Sequence, residues 1–203
     1  MRQTSHGLRG ASRSSRIRLR LGGYGSLLAG VLFVIWGYVH RNGAPWYLDV
    51  TATVLSYIVP VLFFVALIGL FALCRDSVGR IAKFGFVLGF VGSAMGVAYA
   101  VPWWAFATRD DWLSSLVWLN TPLSWWLHIL LIGIPLVGIS AVRAGTLPGQ
   151  GILLLAIGAF GWVYYAADSG AILASRSVHV VCGALFGLGW IALGILLLRT
   201  GTR

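Results

Sequence analysis

The chain has 203 residues, of which 59% are hydrophobic and only 10% are charged. A soluble domain has roughly a quarter of its residues charged, so this composition excludes a water-soluble globular protein. The formal net charge of +10 resides in short segments between apolar runs rather than along one face, which argues against nucleic-acid binding.

The first 20 residues form a basic arm that contains six arginines and no acidic residue. An apolar run at 21–39 follows directly, and it has about the ~20 residues that a spanning helix needs. Basic residues beside a first span stay in the cytoplasm. We therefore predict a cytoplasmic arm at 1–20, with little ordered structure over 1–19. Its expected contacts with anionic lipid are made by Arg9, Arg13, Arg16, Arg18 and Arg20.

The rest of the chain, 21–203, is predicted to be one all-α transmembrane domain, a single bundle of six helices. All but three of the 15 basic residues fall on the side of the arm, the exceptions being Arg41, Arg109 and Arg176. Both termini are therefore expected in the cytoplasm, in a bacterial or archaeal plasma membrane. The predicted spans are about 21–39, 50–73, 82–101, 123–142, 151–167 and 179–198.

The longest outer connection, at 102–122, contains a helix-start pattern. Thr108 and Asp111 have capping-box spacing, and Trp112, Leu113 and Leu116 follow at helical intervals. We predict a short helix near 109–119 that lies in the outer interface of the membrane. Tryptophans on both sides of this segment indicate an interfacial aromatic belt.

Small residues recur on single helix faces, where they allow close backbone packing in lipid. Further expectations are helix kinks at Pro60 and Pro135 and homo- or hetero-oligomer contacts through the glycine-rich faces. Each of the three even-numbered helices has a Gly near its end and then a terminal Arg. This similarity leaves open the possibility of a helical hairpin repeated three times. The small-residue stripes are Gly23, Ser26, Gly30 and Gly37 in the first helix, Gly85, Gly89, Gly92 and Gly96 in the third, and Gly183 and Gly187 in the sixth.

Three histidines end the predicted helices at the outer side of the membrane. Steps of three and four from His40 meet Phe33 and Gly30, and steps from His179 meet Phe186 and Trp190. These residues are therefore expected to face the bundle interior at one depth, around a common pocket. The residues of this candidate outer pocket are His40, Asp49, Tyr99, His128, Asp168 and His179.

Two interpretations of the pocket remain open. In one, His128 and His179 hold a transition metal or ligate a b-type haem from two faces. In the other, the histidines are polar tips that hydrogen-bond to Tyr, Asp or water at the interface. No histidine pair has the spacing of a local ligand motif, and no motif implies a cofactor.

Motifs of phosphate-binding loops, dinucleotide-binding folds, nucleophile elbows and metalloproteases are all missing from the sequence. The predicted membrane midplane also lacks the carboxylates of coupled transporters. We therefore rank a non-enzymatic membrane protein first, as a small-molecule or lipid binder, a transporter subunit or an assembly partner. The alternative is a membrane redox or metal protein that uses the outer histidines.

Overall fold

A computed structural model of the chain describes residues 13–41, 46–74, 79–108, 125–145, 148–168 and 176–202. These residues form six long helices and no strand. The helices are α1 (Arg13–Arg41), α2 (Trp46–Cys74), α3 (Arg80–Thr108), α4 (Trp126–Arg143), α5 (Pro148–Asp168) and α6 (Arg176–Gly201).

Each of these six helices is long and apolar enough to cross a membrane, which confirms the predicted all-α six-helix bundle. Helix α1 begins eight residues before the predicted span, so the expectation of little order is wrong for residues 13–19. The reason is packing: Leu19 is buried, and Arg20 Nε donates to the Gly201 carbonyl at the end of α6, at 3.3 Å. The predicted interfacial helix at 109–119 lies outside the described residues.

The helices form a closed ring in chain order. Each helix packs against its neighbours in sequence, α6 packs against α1, and α2 also touches α6 across the interior. Adjacent helices are antiparallel. As a result, the start of α1 lies beside the end of α6, where a Cβ on Gly201 would lie 3.2 Å from Leu19 Cβ. Both ends of the described chain therefore lie on one face of the bundle.

The charged side chains that the structure describes lie at one end of this bundle. Seven charged side chains are described, all are basic and exposed, and all lie at the end that carries both termini. We call it the basic end; it comprises Arg16, Arg18, Arg20, Arg80, Lys83, Arg143 and Arg199. The opposite end, which contains His128 and His179 near the starts of α4 and α6, is the histidine end.

The predicted small-residue stripes are confirmed as helix contacts within the chain, except at Gly37, which lies outside the described positions. A Cβ on Gly85 would lie 2.7 Å from the Gly133 carbonyl oxygen, and a Cβ on Gly187 would lie 2.8 Å from that of Gly30. Between α1 and α6, the buried Ser26 hydroxyl donates to the Trp190 carbonyl at 2.7 Å. Because these faces already pack inside one chain, oligomer contacts through glycine remain a prediction.

The three even-numbered helices end in similar sequences, but the glycine near each end packs against a different neighbour. Gly69 of α2 contacts Gly22 of the preceding helix α1. By contrast, Gly138 of α4 packs on α5, and Gly194 of α6 packs on α1, which is the next helix around the ring. The similar helix ends therefore do not make equivalent contacts.

An aromatic layer fills the space between α1, α2, α5 and α6. Phe33 is central: its ring centroid lies 4.7 Å from that of Phe186 and 5.3 Å from that of Tyr164. Phe63 adds a contact to Trp190 at 4.6 Å. All five rings are buried. Phe33 and the stripe from His179 through Phe186 to Trp190 thus point inward, as predicted, whereas the side chain of His40 lies outside the described residues.

Candidate functional site

Helices α4 and α5 pack against each other near the histidine end, and we call this contact the α4–α5 seam. Pro135 lies inside α4 and lacks an N–H, so the Leu131 carbonyl loses its usual helical donor. Trp162 of α5 donates its indole N–H to this carbonyl at 3.1 Å. Gly158 makes room for the Pro135 ring, since a Cβ there would overlap it. The seam therefore satisfies a backbone carbonyl that proline would leave without a partner in apolar surroundings.

His128 lies on α4, about one turn before Leu131 and closer to the histidine end. Three aromatic rings surround its imidazole. Its ring centroid is 3.9 Å from that of Tyr165, 4.7 Å from that of Trp125 and 5.8 Å from that of Trp162. Its Nδ1 is buried and has no hydrogen-bond partner among the described residues. His128 is therefore held mainly by ring contacts, in a half-buried position at the edge of the α4–α5 seam.

His179 occupies a more interior position on α6. Its side chain is 1% exposed, and its ring centroid lies 4.3 Å from that of Tyr164. The Tyr164 ring also covers Gly183, where a Cβ would lie 2.9 Å from two of the ring carbons. Through Tyr164, His179 is connected to Phe33 and the aromatic layer, so it lies on top of that layer at the histidine end.

The two described histidines contact different tyrosines on α5. Tyr164 and Tyr165 are consecutive, so their side chains leave the helix about 100° apart. Tyr99 is half-buried on α3. His40, Asp49 and Asp168 belong to α1, α2 and α5, but their side chains lie outside the described residues. A pocket shared by all six residues therefore stays a prediction. The buried His179 lies where such a pocket requires it, whereas His128 lies half-buried at the α4–α5 seam.

Sequence reasoning overlooked Trp162 and Tyr164 as neighbours of the histidines. Their signal was the run Trp162, Val163, Tyr164, Tyr165 at the histidine end of α5. Aromatic residues there indicate an interfacial belt, and the sequence does not show which of them turn inward. The freed Leu131 carbonyl was recognisable from Pro135, but its donor was not.

The arrangement suits recognition of a molecule by ring stacking and a few hydrogen bonds. Within the described ranges, no three His, Cys, Asp or Glu side chains are close enough to hold a metal ion together. Imidazole, phenol and indole groups present flat apolar faces with polar edges. Comparison of the chain with protein-family models, with curated proteins and with solved structures finds no match.

Proposed function

We propose that this multi-pass membrane protein is a non-enzymatic binder that holds a small molecule or a lipid at its histidine end. The observation that carries the proposal is the burial of His179 on the Tyr164 ring, directly above the aromatic layer. A buried imidazole there provides a polar edge at the base of a ring-lined region. Apolar, ring-lined surroundings with a few polar groups are typical of sites that bind small molecules.

The aromatic layer would close the proposed site on the side of the bundle centre. Five buried rings fill the centre of the helix ring below His179. A ligand that enters from the histidine end would meet His179 first and then Tyr164, the ring of this layer on which His179 packs. The basic end then faces the cytoplasm, where arginines are retained beside spans, and its arginines lie at the depth of anionic headgroups.

The proposal predicts a bound organic molecule in the purified protein. The full chain is purified in mild detergent without chelator or His-tag, and native mass spectrometry measures the bound mass. We expect the affinity for this molecule to fall about 2- to 12-fold in His179→Ala, since the ring pair that the ligand would lose contributes about 0.5–1.5 kcal/mol beyond the area it buries. Ser177→Ala, an exposed position on the same turn of α6, is the matched control and should retain it.

An absorption spectrum and elemental analysis of the same samples test the alternative. A Soret band, or stoichiometric metal that disappears in His128→Ala or His179→Ala, would replace the proposal with a haem or metal protein. Turnover of a substrate by the purified chain would also contradict it. Equal ligand retention by His179→Ala and Ser177→Ala would show that the ligand binds elsewhere.

A further inference from the structure

The described glycines make two kinds of contact at the seams between neighbouring helices. At the α1–α2, α1–α6, α3–α4 and α4–α5 seams, a Cβ on a glycine would meet backbone atoms of the next helix. For example, a Cβ on Gly194 would lie 2.7 Å from the Gly23 carbonyl oxygen, and one on Gly151 would lie 2.8 Å from that of Gly138. Backbones packed this closely have no rotamer change with which to yield. These four seams therefore hold their helices together as rigid units.

The α2–α3 and α5–α6 seams are made by side chains instead. A Cβ on Gly89 of α3 would lie 3.0 Å from Leu67 Cδ1 of α2, and a Cβ on Gly161 of α5 would lie 2.8 Å from Phe186 Cε2 of α6. At each described glycine of these two seams, the nearest atoms across the seam belong to side chains. Side-chain contacts can rearrange when packed helices shift relative to each other.

We propose that the bundle consists of two rigid halves, α6–α1–α2 and α3–α4–α5, which move apart along the α2–α3 and α5–α6 seams and admit water between them. The movement breaks side-chain contacts and keeps the four backbone seams. His179 on α6 and Tyr164 on α5 belong to different halves. The movement would therefore also widen the histidine end, although it does not depend on the ligand proposed above.

Ser93 of α3 and Trp190 of α6 belong to different halves and lie near the middle of the bundle. Ser93 lies between Gly89 and Gly96 on one face of α3, and these glycines contact α2 on either side of Phe63. The ring centroid of Trp190 lies 4.6 Å from that of Phe63. Both polar side chains are therefore at the depth of Phe63, in the interior that the two halves enclose.

The polar atoms of these two side chains favour the separated state. Both side chains are 0% exposed, and neither Ser93 Oγ nor Trp190 Nε1 has a hydrogen-bond partner among the described residues. A buried polar group without a partner costs free energy, which a hydrogen bond to water would recover. By contrast, Ser26 inside the α1–α6 seam already donates to the Trp190 carbonyl. The unpaired atoms therefore lower the cost of moving the halves apart.

Cysteine labelling of two buried serines tests the proposal. The full chain, with Cys74 and Cys182 changed to alanine, carries either Ser93→Cys at the interface between the halves or Ser26→Cys inside the α1–α6 seam. Both serines are 0% exposed, so Ser26→Cys is the matched control. A small charged methanethiosulfonate is added to the protein in nanodiscs, and mass spectrometry of the intact chain follows the reaction.

We expect Ser93→Cys to react at least about 10-fold faster than Ser26→Cys, because a movement between rigid units costs less free energy than global unfolding. After denaturation in sodium dodecyl sulfate, the two thiols should react at equal rates. Equal rates in the folded bundle, or a faster reaction of Ser26→Cys, would overturn the proposal.

Distances between spin labels provide a second measurement that leaves the interior unchanged. The labels replace exposed basic residues in pairs: R18C/R199C and R80C/R143C each lie within one half, whereas R18C/R80C and R143C/R199C join the two halves. Double electron–electron resonance should give one narrow distance distribution for each pair within a half. The pairs between the halves should give broader or two-peaked distributions. Equally narrow distributions for all four pairs would contradict the division into moving halves.

Discussion

Replacement of Gly30 by valine is expected to lower the free energy of unfolding by about 3 kcal/mol or more, a severe case of overpacking. A Cβ at this position would meet the Gly187 carbonyl oxygen and lie 2.8 Å from Ile191 Cγ1 and 2.9 Å from the Ile191 nitrogen. Two of these three atoms belong to the α6 backbone, which cannot rotate away as a side chain can. Helices α1 and α6 would therefore have to separate. Because the contact between them closes the ring of helices, its loss would open the whole bundle.

Gly149 is the matched control for Gly30, because no described residue lies within 4 Å of the Cβ it would carry. Gly149→Val should change the free energy of unfolding by less than about 1 kcal/mol, the span of helix propensities for ordinary residues. Unfolding of both variants is followed by circular dichroism during titration with a denaturing detergent. Similar losses in the two variants would mean that the close contact between α1 and α6 does not determine the stability of the ring.

Trp162→Phe is expected to cost about 1–3 kcal/mol, the cost of leaving a buried polar group without its partner. The phenylalanine keeps an apolar ring in the α4–α5 seam but removes the N–H that bonds the Leu131 carbonyl. Because Pro135 supplies no N–H one turn later, that carbonyl would face apolar surroundings unpaired. The cost is measured by the same denaturing titration, with Phe160→Leu, a half-buried position on α5, for comparison.

A double-mutant cycle identifies the cause of this loss. In a Pro135→Ala background, residue 135 regains its N–H and can bond the Leu131 carbonyl as in an ordinary helix. Trp162→Phe should then cost at least about 0.5 kcal/mol less than it does beside Pro135, which is the size of coupling expected between residues in contact. An equal cost in both backgrounds would assign the role of Trp162 to packing alone.

The architecture was predictable because membrane spans are strongly constrained. Bilayer thickness sets the span length, and basic residues remain on one side. The glycine stripes of α1 and α3 likewise predicted close packing, which Gly30 and Gly85 make with α6 and α4. The start of α1 was placed too late, because hydropathy cannot detect that Arg20 bonds the end of a helix 181 residues away in sequence.

The candidate site was less predictable, since inward position depends on small rotations of each helix. The pattern from His179 through Phe186 to Trp190 correctly indicated a buried face. His128 was expected to face the same pocket, but its ring lies against Tyr165 at the α4–α5 seam. Helical spacing shows which face of a helix is buried. Which neighbouring helix covers that face depends on the order of all six helices around the ring. No sequence pattern here specified that order.

Cysteine accessibility from the two sides of the membrane tests the central claim most directly. Single cysteines replace four exposed residues, Ser14, Ala144, Ser177 and Thr202, after the buried Cys74 and Cys182 are changed to alanine. We predict that an impermeant maleimide labels positions 14, 144 and 202 only from the cytoplasmic side, and position 177 only from the outside. Labelling of 14 and 202 from opposite sides, or of 144 and 177 from the same side, would contradict a six-span bundle with a cytoplasmic basic end.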